Sequence, residues 1–212
     1  AARSWELSKT ESIDVLDAVG SAIRIDARGK EVMRILPRLN EDVNEEWISD
    51  KTRFACDGLK RQRLDRPYVR KDGKLHPASW EEAFAAIAAK LNGIPANKVA
   101  AIAGDLADCE SMLALKDLMQ ALGSPHLDCR QNGARIAVGA PASYRFNTTI
   151  AGIEDADACL LIGTNPRWEA ALVNTRLRKR HLMGGFSVAA VGPVLDLTYP
   201  VAQLGESPDV LA

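Results

Sequence analysis

The side chains with the greatest chemical reach are four thiols and three imidazoles: Cys56, Cys109, Cys129 and Cys159, and His76, His126 and His181. No two cysteines stand at C-x-x-C spacing, so neither a zinc ribbon nor a thioredoxin-type redox pair is available. Cys109 and Cys159 sit in apolar surroundings and read as small core residues. The histidines are scattered, and His76 directly precedes a proline, a structural or exposed pattern rather than a ligand set. One loop looks like a site. Gly163-Thr164-Asn165-Pro166 follows the apolar run Ala158–Ile162. Gly163 permits close backbone approach, Asn165 offers an amide to a nucleotide or pterin edge, and a helix start behind them favours a phosphate. A plain strand-to-helix turn, shaped by Asn and Pro, accounts for the same four residues.

Other chemistries find no support. The hydrolase elbow G-x-S-x-G, the P-loop and the G-x-G-x-x-G dinucleotide fingerprint are all absent. No Ser/His/Asp set or His–Glu metal pair stands out, so the residues alone favour no enzyme class. With 212 residues, 47% hydrophobic and 26% charged, the chain has the composition of a globular protein with a real core. A net charge of −1 supplies no overall basic field for nucleic acid. No run of about 18 apolar residues exists to cross a membrane. Charge is nevertheless uneven. Residues 41–50 carry five acids and no base, and residues 51–74 carry nine Lys or Arg against three Asp. That pattern fits either a solvated surface with local ion pairs or a docking surface. The chain has no initiating Met, and its last residues, Ser207 to Ala212, open a helix signal without completing it, so it reads as part of a longer polypeptide.

The elements that must position these residues fall into two parts. Residues 1–75 read as a small β-containing unit: Ser21–Asp26 and Glu31–Leu36 alternate around a turn at Ala27–Lys30 and predict a hairpin. A helical turn is expected over Glu45–Lys51 and a tight turn at Lys71–Lys74. Residues 76–212 alternate helix and strand. Ser79-Trp80-Glu81-Glu82 is a capping box opening a helix to about Leu91. A buried strand follows at Val99–Ala103. A helix over about Asp108–Leu122 has Met112, Leu115, Leu118, Met119 and Leu122 as its core stripe. Next come a strand at Ala158–Ile162, one helix to about Met183, and a strand at Phe186–Val191. This order predicts an α/β fold: an open, mostly parallel sheet with helices on both faces. Ligands of such sheets sit at the carboxyl ends of strands, where Gly104 and Gly163 fall.

Long strings carry a resemblance. Trp5–Ser21, Glu31–Pro37 and Asn40–Leu64 closely resemble the large iron–sulfur subunits of respiratory complex I, and the remainder follows in order through Ser79–Glu82, Gly163–Pro166 and Asp196–Tyr199. In that family an amino-terminal half carries 2Fe–2S and 4Fe–4S clusters, and a carboxyl-terminal half resembles molybdopterin oxidoreductases. The resemblance places this chain at the start of the second half. It implies peripheral-arm subunits as partners, with no nucleic acid and no membrane insertion. It also implies a peripheral place on the cytoplasmic face of a bacterial inner membrane, or on the matrix side in mitochondria.

Departures from the family decide what the chain is expected to do. The molybdenum enzymes open with a 4Fe–4S unit held by C-x-x-C-x-x-x-C and a later Cys. Aligned on Val19-Gly20-Ser21, the first three positions are Asp14, Asp17 and Ser21, and the late one matches Cys56. One thiolate does not hold such a cluster, and hard oxygen donors substitute poorly. Gly163 and Asn165 fall in the loop that resembles the family's binding loop for the guanine dinucleotide of the molybdenum cofactor. The expectation is a scaffold with no cofactor of its own and an empty pterin loop, inside a parent that moves electrons from NADH to quinone. A cluster- or pterin-bearing redox module and a nucleotide-binding α/β domain are the alternatives. The acidic 41–50 and basic 51–74 segments are the candidate subunit contacts, with Lys60, Arg61 and Arg63 as the residues whose joint replacement tests them.

Overall fold

A computed structural model describes residues 2–130, 133, 136 and 139–211; the terminal Ala1 and Ala212 lie outside them. The first segment is a three-stranded antiparallel sheet in the order β1 (Ser8–Ile13), β2 (Ala22–Arg28), β3 (Glu31–Pro37). The expected hairpin is β2–β3. Arg28 pairs with Glu31, so Gly29-Lys30 is a two-residue loop, and Gly29 takes φ +59°, which lets the turn follow the strand twist. β1 has no alternating apolar pattern and is exposed along most of its length, which is why periodicity misses it. The helical turn expected over 45–51 lies later. α1 runs Asp50–Phe54, because the Ser49 side chain accepts from the Thr52 amide and caps it there. A short 3-10 stretch, Ala55–Lys60, follows. Ile23, Ile35, Ile48 and Cys56 form the core of this segment.

Polar residues fasten it. Asn44 is 1% exposed. Its Oδ1 accepts from the Ala22 amide at 2.9 Å, and its Nδ2 donates to the carbonyls of Arg38, Glu45 and Trp47. Asp26, fully buried on β2, accepts from Arg24 at 2.8 Å and Arg34 at 2.7 Å. The Arg24 hydrogen bond foremost, followed by Arg34, holds its carboxyl below the ordinary 3.8.

By backbone contacts the described chain gathers into two compact units, residues 62–139 and residues 1–61 together with 140–212. Residues 62–75, read from sequence with the first segment, lie in the 62–139 unit. That unit holds the hairpin β4 (Tyr68–Lys71)–β5 (Lys74–Pro77), helix α2 (Trp80–Leu91), strand β6 (Ala100–Ile102), helix α3 (Cys109–Ala121) and strand β7 (His126–Asp128) parallel to β6. Asp72-Gly73 forms the hairpin turn, both residues with positive φ. The Ser79–Glu82 capping box is formed in both directions, at 2.9 and 3.2 Å. Three expectations fail here. The strand read as buried over 99–103 is β6, which is largely exposed, with Ile102 open to solvent. Of the α3 stripe only Met119 is buried. Cys109 is the first residue of α3 and is exposed, not core.

The last segment carries a parallel sheet, β8 (Ala158–Ile162), β9 (Ser187–Val191), β10 (Ala202–Gly205), with β9 in the middle. Leu161, Val188 and Ala190 face Leu177, Phe186, Ile153 and Leu197 in its core. Leu160 and Ile162 point the other way and stay half exposed. The single helix expected after β8 is two: α4 (Pro166–Glu169) and α5 (Ala171–Leu182), broken at Ala170, whose φ −150° and ψ 68° are not helical.

Within its unit, the last segment is joined to the first by ion pairs. Arg176 of α5, 4% exposed, donates to the Glu154 carboxylate and to the Glu41 carbonyl. Lys179, three residues on, reaches Glu45 at 2.7 Å and Glu154 at 2.9 Å. Lys179 first and then Arg176 hold the Glu154 carboxyl below the ordinary 4.5.

Removing a buried partner strands the other charges. Arg176→Ala is expected to cost about 3–5 kcal/mol in urea unfolding, and Lys179→Ala, with a more exposed ammonium, about 1 kcal/mol or less; equal losses would contradict this hierarchy. Asp26 and Glu154 have depressed carboxyls in the folded state, so their stabilisation is complete above the ordinary 3.8 and 4.5 and is lost as pH falls below them. A urea midpoint series from pH 7 to pH 3 should therefore be flat in these contributions at first and fall steeply only at its acid end.

Candidate functional site

Two places combine the residues that sequence reasoning singled out. The first is the loop between β1 and β2. Asp14 is 5% exposed, and its Oδ2 accepts from the Thr52 hydroxyl of α1 at 2.7 Å. Its Oδ1 accepts from the Leu16 amide, and its own amide donates to the Ser21 carbonyl at 2.9 Å. Thr52 shares a hydroxyl bond with Ser49, the cap of α1. Asp17, whose side chain is 4% exposed, accepts from the Val19 amide and pairs with Lys51 Nζ at 3.2 Å. Ser21 is buried at 1% exposure. Cys56 stands four residues after Thr52, buried, with its thiol donating to the Arg53 carbonyl at 3.7 Å. The structure thus brings Asp14, Asp17 and Ser21 into one loop and ties that loop to α1 through Thr52 and Lys51. Sequence reasoning missed Thr52, Lys51 and Ser49; the only signal was a Ser three residues before a Thr at a helix start.

The second place is the carboxyl end of the β8–β9–β10 sheet. Gly163 leaves β8 with φ +61°, and its amide donates to the Val191 carbonyl at 2.8 Å. Asn165 caps α4: its Oδ1 accepts from the Arg167 amide at 3.2 Å, with Pro166 in the first helical position. The side chain of Glu169 folds back over this turn. It accepts from the Thr164 hydroxyl at 2.8 Å and from the Asn165 amide at 2.9 Å. Arg167 of α4 donates to the carboxylate of Asp196 at 2.7 Å and to its carbonyl at 3.1 Å, joining α4 to the loop after β9. Gly163, Thr164, Asn165, Glu169, Val191 and Leu195 line a cleft of about 240 Å³. Gly163 and Asn165 are where the sequence placed them; Glu169, Arg167 and Asp196 were not foreseen. Gly104, at the end of β6, lies in the 62–139 unit and is described apart from this loop.

Two further titratable groups near this sheet, Cys159 and Tyr199, serve packing. Cys159 is half buried, and burial pushes its thiol up, away from the thiolate that chemistry would need. Tyr199 is raised by burial as well; its hydroxyl donates to Asn174 Oδ1 at 2.8 Å, and its ring stacks on His181. Among the described residues, no three His, Cys, Asp or Glu side chains converge as a metal site, and no helix is long and apolar enough to cross a membrane.

Comparison with known proteins matches both places to families. The model for molybdopterin oxidoreductases matches residues 63–212. The model for the 4Fe–4S domain of NADH-ubiquinone oxidoreductase NDSU1/NuoG-like proteins matches residues 7–57. Among curated relatives, the mitochondrial NADH-ubiquinone oxidoreductase 78 kDa subunit of Candida albicans is 55% identical over 99% of this chain and 30% of its own length. The mitochondrial NADH dehydrogenase [ubiquinone] iron-sulfur protein 1 of Solanum tuberosum is 52% identical over 99% of this chain and 29% of its own. A bacterial relative, a subunit of the NADH-quinone oxidoreductase of Rickettsia conorii, is 53% identical over 96% of this chain and 30% of its own. The chain therefore spans about 30% of the relatives it matches. It belongs to the molybdopterin oxidoreductase family, in the form shared with the large subunits of NADH:quinone oxidoreductases.

Proposed function

We propose that this chain is a segment of the large iron–sulfur subunit of complex I, and that it supplies architecture to that enzyme rather than a redox centre. Identity above half along nearly the whole chain, to subunits named for NADH–quinone oxidoreduction, supports the parent activity: electron transfer from NADH to quinone. The 2Fe–2S and 4Fe–4S clusters belong to the parent's amino-terminal half. The site is peripheral, on the cytoplasmic side of a bacterial membrane or the matrix side in mitochondria. Its partners are the other peripheral-arm subunits.

The observation that carries the scaffold reading is the β1–β2 loop. A 4Fe–4S cluster needs four soft ligands. Positions 14, 17 and 21 hold two carboxylates and a hydroxyl, and both carboxylates are engaged by Thr52, Lys51 and backbone amides. Cys56 adds a single thiol whose proton is directed at a backbone carbonyl. These residues do not fit a cluster; they hold the loop to α1 by hydrogen bonds instead. Exposed large apolar residues at several elements, Trp5, Trp47, Phe54 and Trp80 among them, support a role in assembly. Part of the acid-then-base charge pattern is consumed internally, through Glu45 with Lys179 and Lys60 with Glu31. Arg61 and Arg63 stay exposed and remain the candidate contacts.

Iron, sulfide and molybdenum analysis of anaerobically purified protein tests the scaffold reading. The expected result is colourless, folded protein without stoichiometric metal; about four irons per chain, or molybdenum with a pterin, would overturn it. Replacing Lys60, Arg61 and Arg63 together by Ala should weaken incorporation into the peripheral arm while the melting temperature of the free chain stays nearly unchanged, since exposed pairs contribute little. Normal incorporation of that variant would remove this segment from the interface.

A further inference from the structure

The family's dinucleotide loop needs donors for an anion, and here a carboxylate of the chain itself takes two of them. In the turn after β8 the Asn165 amide and the Thr164 hydroxyl each donate to one oxygen of the Glu169 carboxylate, at 2.9 and 2.8 Å. The Asn165 Oδ1 accepts from the Arg167 amide. The Arg167 guanidinium, the nearest cation of the loop, is engaged by Asp196. With that carboxylate on these two donors, the residues present do not fit the phosphates of the guanine dinucleotide of a molybdenum cofactor.

We propose that Glu169 is the resident anion of this loop: it takes the hydrogen bonds a phosphate would take and closes the turn to phosphate-bearing nucleotides. Three features support this. A carboxylate and a phosphate compete for the same N–H and O–H donors, so the two do not occupy the turn together. A second anion beside Glu169 meets like-charge repulsion, which bars entry beyond the loss of donors. The non-helical Ala170 follows directly, so α4 ends where Glu169 turns back, and the Arg167–Asp196 pair then holds α4 to the loop after β9 in that closed arrangement. This deepens the scaffold reading but is independent of the cluster question, since it concerns other residues and is read out by nucleotide rather than by iron.

The test uses the full chain as wild type, Glu169→Gln and Glu169→Ala. Glu169 is exposed, and its loss removes two surface hydrogen bonds, so both variants should fold. GDP and inorganic pyrophosphate are titrated at millimolar concentration, with melting temperature as the readout, because selective binding to the folded state raises it. Amide exchange at Asn165 is followed in parallel. The expected result is a silent wild type, exchange about tenfold faster at Asn165 in Glu169→Ala, and a rise in melting temperature with both probes in Glu169→Ala. The glutamine, which keeps an acceptor but no charge, should fall between. Equal response of wild type and variants overturns the proposal, as does silence of all three proteins. A response to GDP with none to pyrophosphate would also overturn it, by showing that the base rather than the phosphate is recognised.

Discussion

Arg176 is the residue on which the larger unit depends. It is a guanidinium almost without solvent, on a helix near the end of the chain, facing a loop some 135 positions earlier. Its partners come from two places: Glu154, just before β8, and Glu41 and Glu45, just after β3. Lys179 repeats the pattern one helical turn on. Two cations and two carboxylates then balance, which is the condition under which a buried charge is tolerated. This is why residues 1–61 pack with residues 140–212 although 78 residues intervene between Arg61 and Ala140. The acidic stretch at 41–50 is thereby partly a fastening and not wholly an outward face.

The first segment shows the same preference for polar fastening over apolar bulk. Its core is four buried residues with two partly buried ones packed against them. Asn44, Asp26 and Asp14 supply the rest, each with its hydrogen-bonding capacity largely used. Such groups are costly to bury unless satisfied, and satisfied they specify one arrangement. The β1–β2 loop is the clearest instance. Where a cluster would cross-link a loop through four thiolates, Asp14 to Thr52 and Asp17 to Lys51 link this loop to α1.

At the carboxyl end of the parallel sheet, a strand-end loop that the fold makes available to ligands is turned inward. The loop keeps Gly163, Asn165 and Pro166, the residues that shape the turn. Two of its donors face Glu169, and Arg167 faces Asp196. These polar groups serve the protein's own turn.

How much of this was legible beforehand follows the range of the interactions. Local signals were sufficient for the β2–β3 hairpin, the turn between β4 and β5, the Ser79 cap and the strands at 158–162 and 187–191, because turn chemistry, capping and apolar runs act within a few residues. Family resemblance, carried by long strings, pointed to Asp14, Asp17, Ser21 and Cys56 as counterparts of cluster-ligand positions and to Gly163 and Asn165 in a loop. The amino-acid sequence by itself thus determined the family, many of the element types and which side chains stand at those positions, since these depend on residue identity and near neighbours. Tertiary structure alone decided which partners the side chains meet. Thr52 on Asp14, Arg176 on Glu154 and Glu41, and Arg167 on Asp196 are pairings over 22 to 135 positions. No periodicity or spacing encodes which charge meets which across such distances; that depends on how the packed elements place them.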